Sequence, residues 1–387
     1  MKHRNGLIAA ALISIALIAA PLFGVGARSG IGGNENVDAA SSLNGQSRRD
    51  WMNLQLKRRA EDRLHPSAKA DGRAWLLEPR LFNLLSPAGQ TAVMIDNGLL
   101  PIPQAKPTQK NRGHRSITTQ SAAPGQNIRV NDPLADITGR THSETSIATN
   151  GFSIDETYNS SSDGFGSGYS VSMDGGSSFV TNQIPTQTGG FNIGDPVLSV
   201  GPAGEYYHSQ IAQAGLDGQT TGESIVEVSK STDGGLTFSS PVDAATVVAN
   251  VIDQQDKPWN TTDRWPSSPF KGNVYVSWTD FSAFTGISIQ LARSTDGGAS
   301  FEAPVEISPQ GRTAAVQGSM PAVAPNGNLF VAYIDLASQP LPTIKVAQST
   351  DGGVHFSAPQ IAAALNSVGE MTGADGVHAN SFPAIAI

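Results

Sequence analysis

The chain has no cysteine in its 387 residues. Disulfides, zinc–thiolate sites, iron–sulfur clusters and cysteine nucleophiles are therefore excluded, and stability must come from packing. Charge is also scarce, at 15 % Asp, Glu, Lys and Arg, which argues against a disordered or coiled-coil chain. Long apolar runs are missing after the first, Leu7 to Ala20. Arginine is nearly absent from the C-terminal two thirds, where only Arg129, Arg140, Arg264, Arg293 and Arg312 occur. No Gly-x-Ser-x-Gly elbow, His-Glu-x-x-His pair or phosphate loop appears, which removes the common hydrolase, zinc-protease and nucleotide readings.

Glycine (41) and proline (24) are plentiful, as expected of a turn-rich β protein. Lys2, His3 and Arg4 precede the apolar run, and small residues end it at Ala27. That pattern predicts a signal peptide over residues 1–27, and hence export to the cell envelope or medium with no membrane span after cleavage. Residues 28–127 read as an N-terminal segment. It holds a helical stripe over Ser47–Leu64, a short second helix in "AWLLEPRLFNLLSP", and a Pro/Gln/Ser-rich linker from Pro101 to Asn127. Charge divides at the same boundary. Residues 1–115 carry 16 Lys and Arg against 8 Asp and Glu, whereas residues 116–387 carry 9 against 25. The acidic part would repel nucleic acid and anionic lipid.

From about Ile128 the pattern becomes short strands between Gly, Asp and Asn turns. The phrase "SKSTDGGLTF" at 229–238 returns as "ARSTDGGASF" at 292–301, "AQSTDGGVHF" at 347–356 and, more loosely, "VSMDGGSSF" at 171–179. Its aspartates, Asp174, Asp233, Asp296 and Asp351, lie 59, 63 and 55 residues apart. Two strand-like runs precede each phrase and one follows it, so a unit of four strands repeats in tandem. The fold class predicted is all-β, a propeller of four-stranded antiparallel blades over 128–387. It would have four full blades and a partial fifth, because "NSFPAIAI" at the end of the sequence matches the first strand of the unit before it.

The phrase resembles the Asp box, or BNR repeat, whose pattern is Ser-x-Asp-x-Gly-x-Thr-Trp. Here Phe179, Phe238, Phe301 and Phe356 replace the Trp, and Thr is kept only at Thr237. The resemblance implies a sialidase-like β-propeller. It also implies a sialidase's needs: an arginine triad, a Tyr–Glu nucleophile pair and an Asp acid/base. The arginine triad is not evident, and the Arg-Ile-Pro motif is missing.

Asp followed by two glycines is turn chemistry, so the four aspartates read as structural. Each turn would join the third and fourth strands at the outer rim. Ligand chemistry would lie on the opposite face, where first strands begin and second strands end. The candidates there are Glu144, Asp195, Asp256 with Lys257, Gln317, Asp280 and Asp335, with Tyr207 and Trp259 as sugar-stacking platforms. Carboxylates suit hydroxyl-rich ligands or a hard cation, so calcium is the candidate metal. The expected function is an exported module binding a glycan or an extracellular protein. The alternative is a glycoside hydrolase, sialidase-like or acting on a neutral sugar through a carboxylate pair.

Overall fold

The computed structural model describes residues 79–96, 116–117, 130, 142–160, 166–184, 190–213, 224–245, 253–282, 286–311, 313–365 and 382–387. The signal-peptide and Ser47–Leu64 helix expectations lie outside these residues. No helix among the described residues is long and apolar enough to cross a membrane.

Seventeen strands and two short helices account for the described secondary structure. The helices are α1 (Pro79–Phe82) and α2 (Pro87–Asp96). Sheet one holds β2 (His142–Thr149), β3 (Ile154–Ser160), β4 (Ser167–Ser172) and β5 (Phe179–Gln183). Sheet two holds β6 (Phe191–Val200), β7 (Tyr206–Gln213), β8 (Ser224–Ser231) and β9 (Val242–Asp243). Sheet three holds β10 (Asp253–Thr262), β11 (Val274–Ser282), β12 (Gly286–Ser294) and β13 (Val305–Glu306). Sheet four holds β14 (Val316–Val323), β15 (Leu329–Asp335), β16 (Thr343–Ser349) and β17 (Gln360–Ala364). Each sheet pairs its strands antiparallel in sequence order, and sheet one gains a short outer strand, β1 (Ser116–Ile117), on β5. That strand falls within the stretch read as linker.

The first strand of each sheet packs on the first strand of the next, from β2 to β6 to β10 to β14. This is blade packing, with first strands innermost. Tyr275, Ile289, Leu291, Val316, Val331 and Tyr333 form one core between sheets three and four. A second core lies between sheets two and three, around Tyr207, Val226, Val276 and Trp278. Polar bonds also cross the seams. Asn260 Nδ2 donates to Ser209 Oγ at 2.9 Å, and Trp265 Nε1 donates to the Val323 carbonyl at 2.7 Å. Residues 382–387 lie against β14. Ser319 of that strand faces sheet three through Ser277, so Gly318 and Met320 face the other way, where Phe382 and Ile385 meet them.

The repeated phrase forms the same turn four times. In sheet two, Ser231 Oγ donates to Asp233 Oδ1 at 2.8 Å and accepts the Gly235 amide at 2.9 Å. Asp233 then accepts the Thr237 amide at 2.9 Å and its hydroxyl at 2.5 Å. Ser178 and Ser300 replace that threonine hydroxyl, and His355 Nδ1 closes on Asp351 Oδ2 at 2.7 Å. Ser, Thr and His at this position therefore do one job. Hydrogen bonding to Ser178 and Ser300 holds Asp174 and Asp296 down at about 2.

The second glycine of each turn has positive φ, and at Gly298 a Cβ would lie 2.8 Å from the Tyr207 ring of sheet two. The turn thus seats itself on the preceding blade, which no larger residue permits. The phrase's Phe does not open the fourth strand in three of the units. Phe238 precedes β9 and packs edge-on to Tyr169 of sheet one at 5.0 Å. The aromatic serves the seam between blades rather than the ladder.

Asp233→Ala is expected to lower stability by about 1–3 kcal/mol, since several turn bonds of about 0.5–1.5 kcal/mol each are lost. Urea denaturation checks this, and an unchanged midpoint would remove the structural role.

Candidate functional site

Each inner strand carries a β-bulge near its start. The ladder slips between Ser143 and Ser146 in β2, between Gly194 and Val197 in β6, between Asp256 and Trp259 in β10 and between Gln317 and Met320 in β14. One residue of each bulge takes the left-handed conformation: Glu144 (φ 54°), Asp195 (φ 55°), Lys257 (φ 52°) and Gly318 (φ 65°). Three of the four are not glycine, and each such placement costs roughly 1–2 kcal/mol. Bulges re-aim side chains, and strain of this kind gathers at functional sites.

The re-aimed side chains meet. Lys257 Nζ lies 2.6 Å from Glu144 Oε2, with the two side chains only 12 % and 18 % exposed. Asp195 is buried between them, and its amide donates to Asn159 Oδ1 at 2.6 Å. Neither carboxylate oxygen of Asp195 makes a hydrogen bond among the described residues. Asp256, also buried, completes the group. Its Oδ2 accepts from Gln317 Nε2 at 2.6 Å and from the Ser86 amide at 2.8 Å, and its Oδ1 accepts the Ser86 hydroxyl at 2.5 Å.

Three carboxyls thus share one ammonium, and their proton affinities separate. Burial, then the charge of Asp195, pushes Glu144 up to about 9 against the pull of Lys257. Burial and Asp195 also raise Asp256 to about 7. Burial, the largest influence, would raise Asp195 as well, but Lys257 together with the hydrogen-bonding groups of Glu144, Ser86 and Asn159 beside it holds the carboxyl below its usual value. Burial works against the charge on Lys257, yet Asp195, Glu144 and Asp256 together keep it above the ordinary lysine value. At neutral pH the cluster holds an ionised carboxylate, an ammonium and at least one protonated carboxyl.

Of the residues singled out in the sequence, Glu144, Asp195 and Asp256 come together here, with Lys257 and Gln317. Asp280 sits one step out, accepting from Gln255 Nε2 at 3.1 Å. Asp335 is turned to Lys345 of its own sheet at 2.6 Å. Trp259 is half-buried in β10, opposite Ser277. Tyr207 lies at the other end of its blade, fully buried under Gly298, with its hydroxyl bonded to the Gly297 carbonyl at 3.1 Å. Burial pushes the His208 imidazole down to about 3; its Nε2 lies 3.0 Å from Thr157 Oγ1, within the blade seam. Arg293 is held by Glu302 at the outer rim and Arg264 is exposed. Among the described residues no group of three or more His, Asp or Glu is arranged for a metal, and the Lys257 ammonium takes the place a cation would have.

One member was not legible, and one was legible only in part. Lys257 was named beside Asp256, but that it, rather than Asp256, is the counterpart of Glu144 and Asp195 appears only in the bulge register. Ser86 belongs to the N-terminal segment, although "SPAGQ" carried a helix-start signal: Ser at the N-cap and Pro at N1. The Gly89 amide donates to Ser86 Oγ at 3.0 Å, as that cap requires.

No family model matches the chain, and no curated protein matches it. Among solved structures it resembles a Hadza microbial sialidase at 15 % identity and a TM-score of 0.43, over 56 % of this chain and 46 % of that one. It also resembles the leech intramolecular trans-sialidase at 11 % identity and a TM-score of 0.47, over 62 % and 53 %. The GH93 α-L-arabinofuranosidase of Fusarium graminearum follows at 15 % identity and a TM-score of 0.43, over 59 % and 68 %. The chain thus spans about half the length of the first two. Likeness at this level carries no functional reading.

Proposed function

We propose that the chain is an exported, sialidase-like Asp-box propeller protein that binds carbohydrate at the Glu144–Asp195–Asp256–Lys257 cluster. The observation that carries the reading is Asp195, a buried carboxylate whose oxygens meet no donor in good hydrogen-bond geometry among the described residues, beside an ammonium and two further carboxyls. A buried acceptor short of well-placed donors is costly, and the hydroxyls of a sugar are donors that would satisfy it. Lys257 can in turn donate to ring or hydroxyl oxygens. Neutral or amino sugars fit this set. Sialic acid fits it less well, because its carboxylate would have to share Lys257, the one ammonium described there, with three carboxyls.

The test is a glycan array carrying neutral, amino and sialylated oligosaccharides, probed with the full chain and with Asp195→Asn. The expected result is binding to neutral or amino glycans, at least tenfold weaker in a variant that melts normally. Undiminished binding in the variant, or binding to sialylated glycans alone, would overturn the reading.

A second reading, neutral glycoside hydrolysis, is favoured by one observation. Glu144 is pushed up and Asp195 held down within a single cluster, and a protonated and an ionised carboxyl side by side are what acid/base cleavage of a glycosidic bond uses. Release of nitrophenol from aryl glycosides, abolished in Glu144→Gln, would establish it. No release across the panel would leave binding as the function.

A further inference from the structure

One carboxylate of the cluster, Asp256, is engaged by the N-terminal segment of the chain itself. Residues 79–96 form a helix–turn–helix laid across sheets two, three and four. Ala88 and Ala92, one turn apart on α2, pack with Phe191, Ile193 and Ile211 of sheet two. Leu81, Phe82, Leu85, Val93 and Met94 pack with Phe281, Ile287 and Val316 of sheets three and four. The Leu84 carbonyl accepts from Gln317 Nε2 at 3.0 Å. At the centre, Ser86 places one N–H and one O–H on the two oxygens of Asp256. A pair of adjacent sugar hydroxyls would engage a carboxylate in the same two-pronged way. While Ser86 is seated, neither oxygen of Asp256 is open to a ligand.

The fit is specific. Gly89 lies so close to Asp256 that a Cβ there would stand 2.2 Å from Oδ1. The N-terminal end of α2, with Ser86 as its cap, therefore sets its positive end beside this carboxylate. Glycine is a poorer helix former than alanine, so at this position close approach outranks helix propensity.

We propose that residues 79–96 are a separable plug, a built-in occupant of the carboxylate site whose Ser86 stands where the paired hydroxyls of a carbohydrate would stand. The proposal rests on the reading of the cluster as a carbohydrate site, and the two can fail separately, since the plug is tested without any ligand. Native-state hydrogen exchange is measured on the full chain and on the Gly89→Ala and Ser86→Ala variants. Gly89→Ala is expected to speed exchange across residues 79–96 by tenfold or more, against its helix propensity, and Ser86→Ala to do so to a lesser extent. The amides of β6, β10 and β14 should keep their protection in both. The glycan-array signal of Gly89→Ala should rise at least fivefold over the parent chain. Slower exchange in Gly89→Ala would overturn the close-fit argument. Exchange of β10 and β14 accelerating together with 79–96 would show an integral part of the core rather than a plug. A loosened segment with no rise in array signal on a glycan that the parent chain binds would overturn its role as an occupant of the site.

Discussion

Replacing Lys257 with methionine is expected to destabilise the protein by about 3–5 kcal/mol at neutral pH, the usual result of stranding buried charge. Among the described residues the ammonium is the single cation beside Glu144, Asp195 and Asp256, and methionine keeps much of its apolar stem while removing the charge. The loss should depend on pH with a definite sign. Without Lys257 the pull that opposes burial is gone: Glu144 rises further above its unfolded value, Asp195 is no longer held below its own, and Asp256 stays raised. The folded state then binds more protons than the unfolded state from about pH 4 upward, so stability falls as pH rises and recovers as pH falls toward 4. Urea unfolding at pH 4.5 and pH 7.5 measures this. A variant equally destabilised at both values would mean that packing, not charge, gives Lys257 its weight.

Asp155→Asn is expected to act in the opposite direction, stabilising the protein by about 2 kcal/mol at pH 8 and by little at pH 4. Asp155 lies on β3, buried, with both carboxylate oxygens unpartnered, against Gly235 of the next blade's turn. Tyr207 fills the corresponding place under Gly298, and Tyr275 fills it under Gly353. One blade therefore presents a carboxyl where two others present an aromatic ring. Burial, then the charge of Asp233, pushes Asp155 up to about 8. An acid whose folded-state value is raised destabilises progressively as pH climbs from its unfolded value, near 4, to its folded value, and the amide removes that slope. Thermal melts from pH 4 to pH 8 check the prediction. A parent protein whose melting temperature does not fall across that range, relative to Asp155→Asn, would contradict it.

The blades were legible because their signals are local. Asp, two glycines and a following aromatic mark a turn whatever surrounds it, and two strand runs before that turn and one after it gave the strand order of each sheet. The sequence reads the pocket face more coarsely. Glu144 and Asp195 stand out because each lies near the start of its unit's first strand. Asp256 and Lys257 stand together at the corresponding place in the third unit. A bulge adds one residue to a strand, and the sequence does not announce on which side of it a given residue falls. The left-handed residue in β10 is therefore Lys257, and the ring of equivalents changes sign at that blade. Tyr207 as a sugar platform illustrates the same limit, since a strand's alternation does not say which end of the blade a residue faces. The Ser86–Asp256 contact joins residues 170 apart, and no local pattern carries a contact of that range.

Two sets of carboxylates stand in opposite environments: four turn aspartates rich in hydrogen bonds, and a desolvated cluster proposed to meet a ligand. Carbon-13 NMR titration of the assigned side-chain carboxyls tests that division most directly. Asp174 and Asp296 should remain ionised down to about pH 3, while Glu144 should still carry its proton at pH 7. Cluster carboxyls that all ionise between about pH 3 and 5, like exposed ones, would contradict the account.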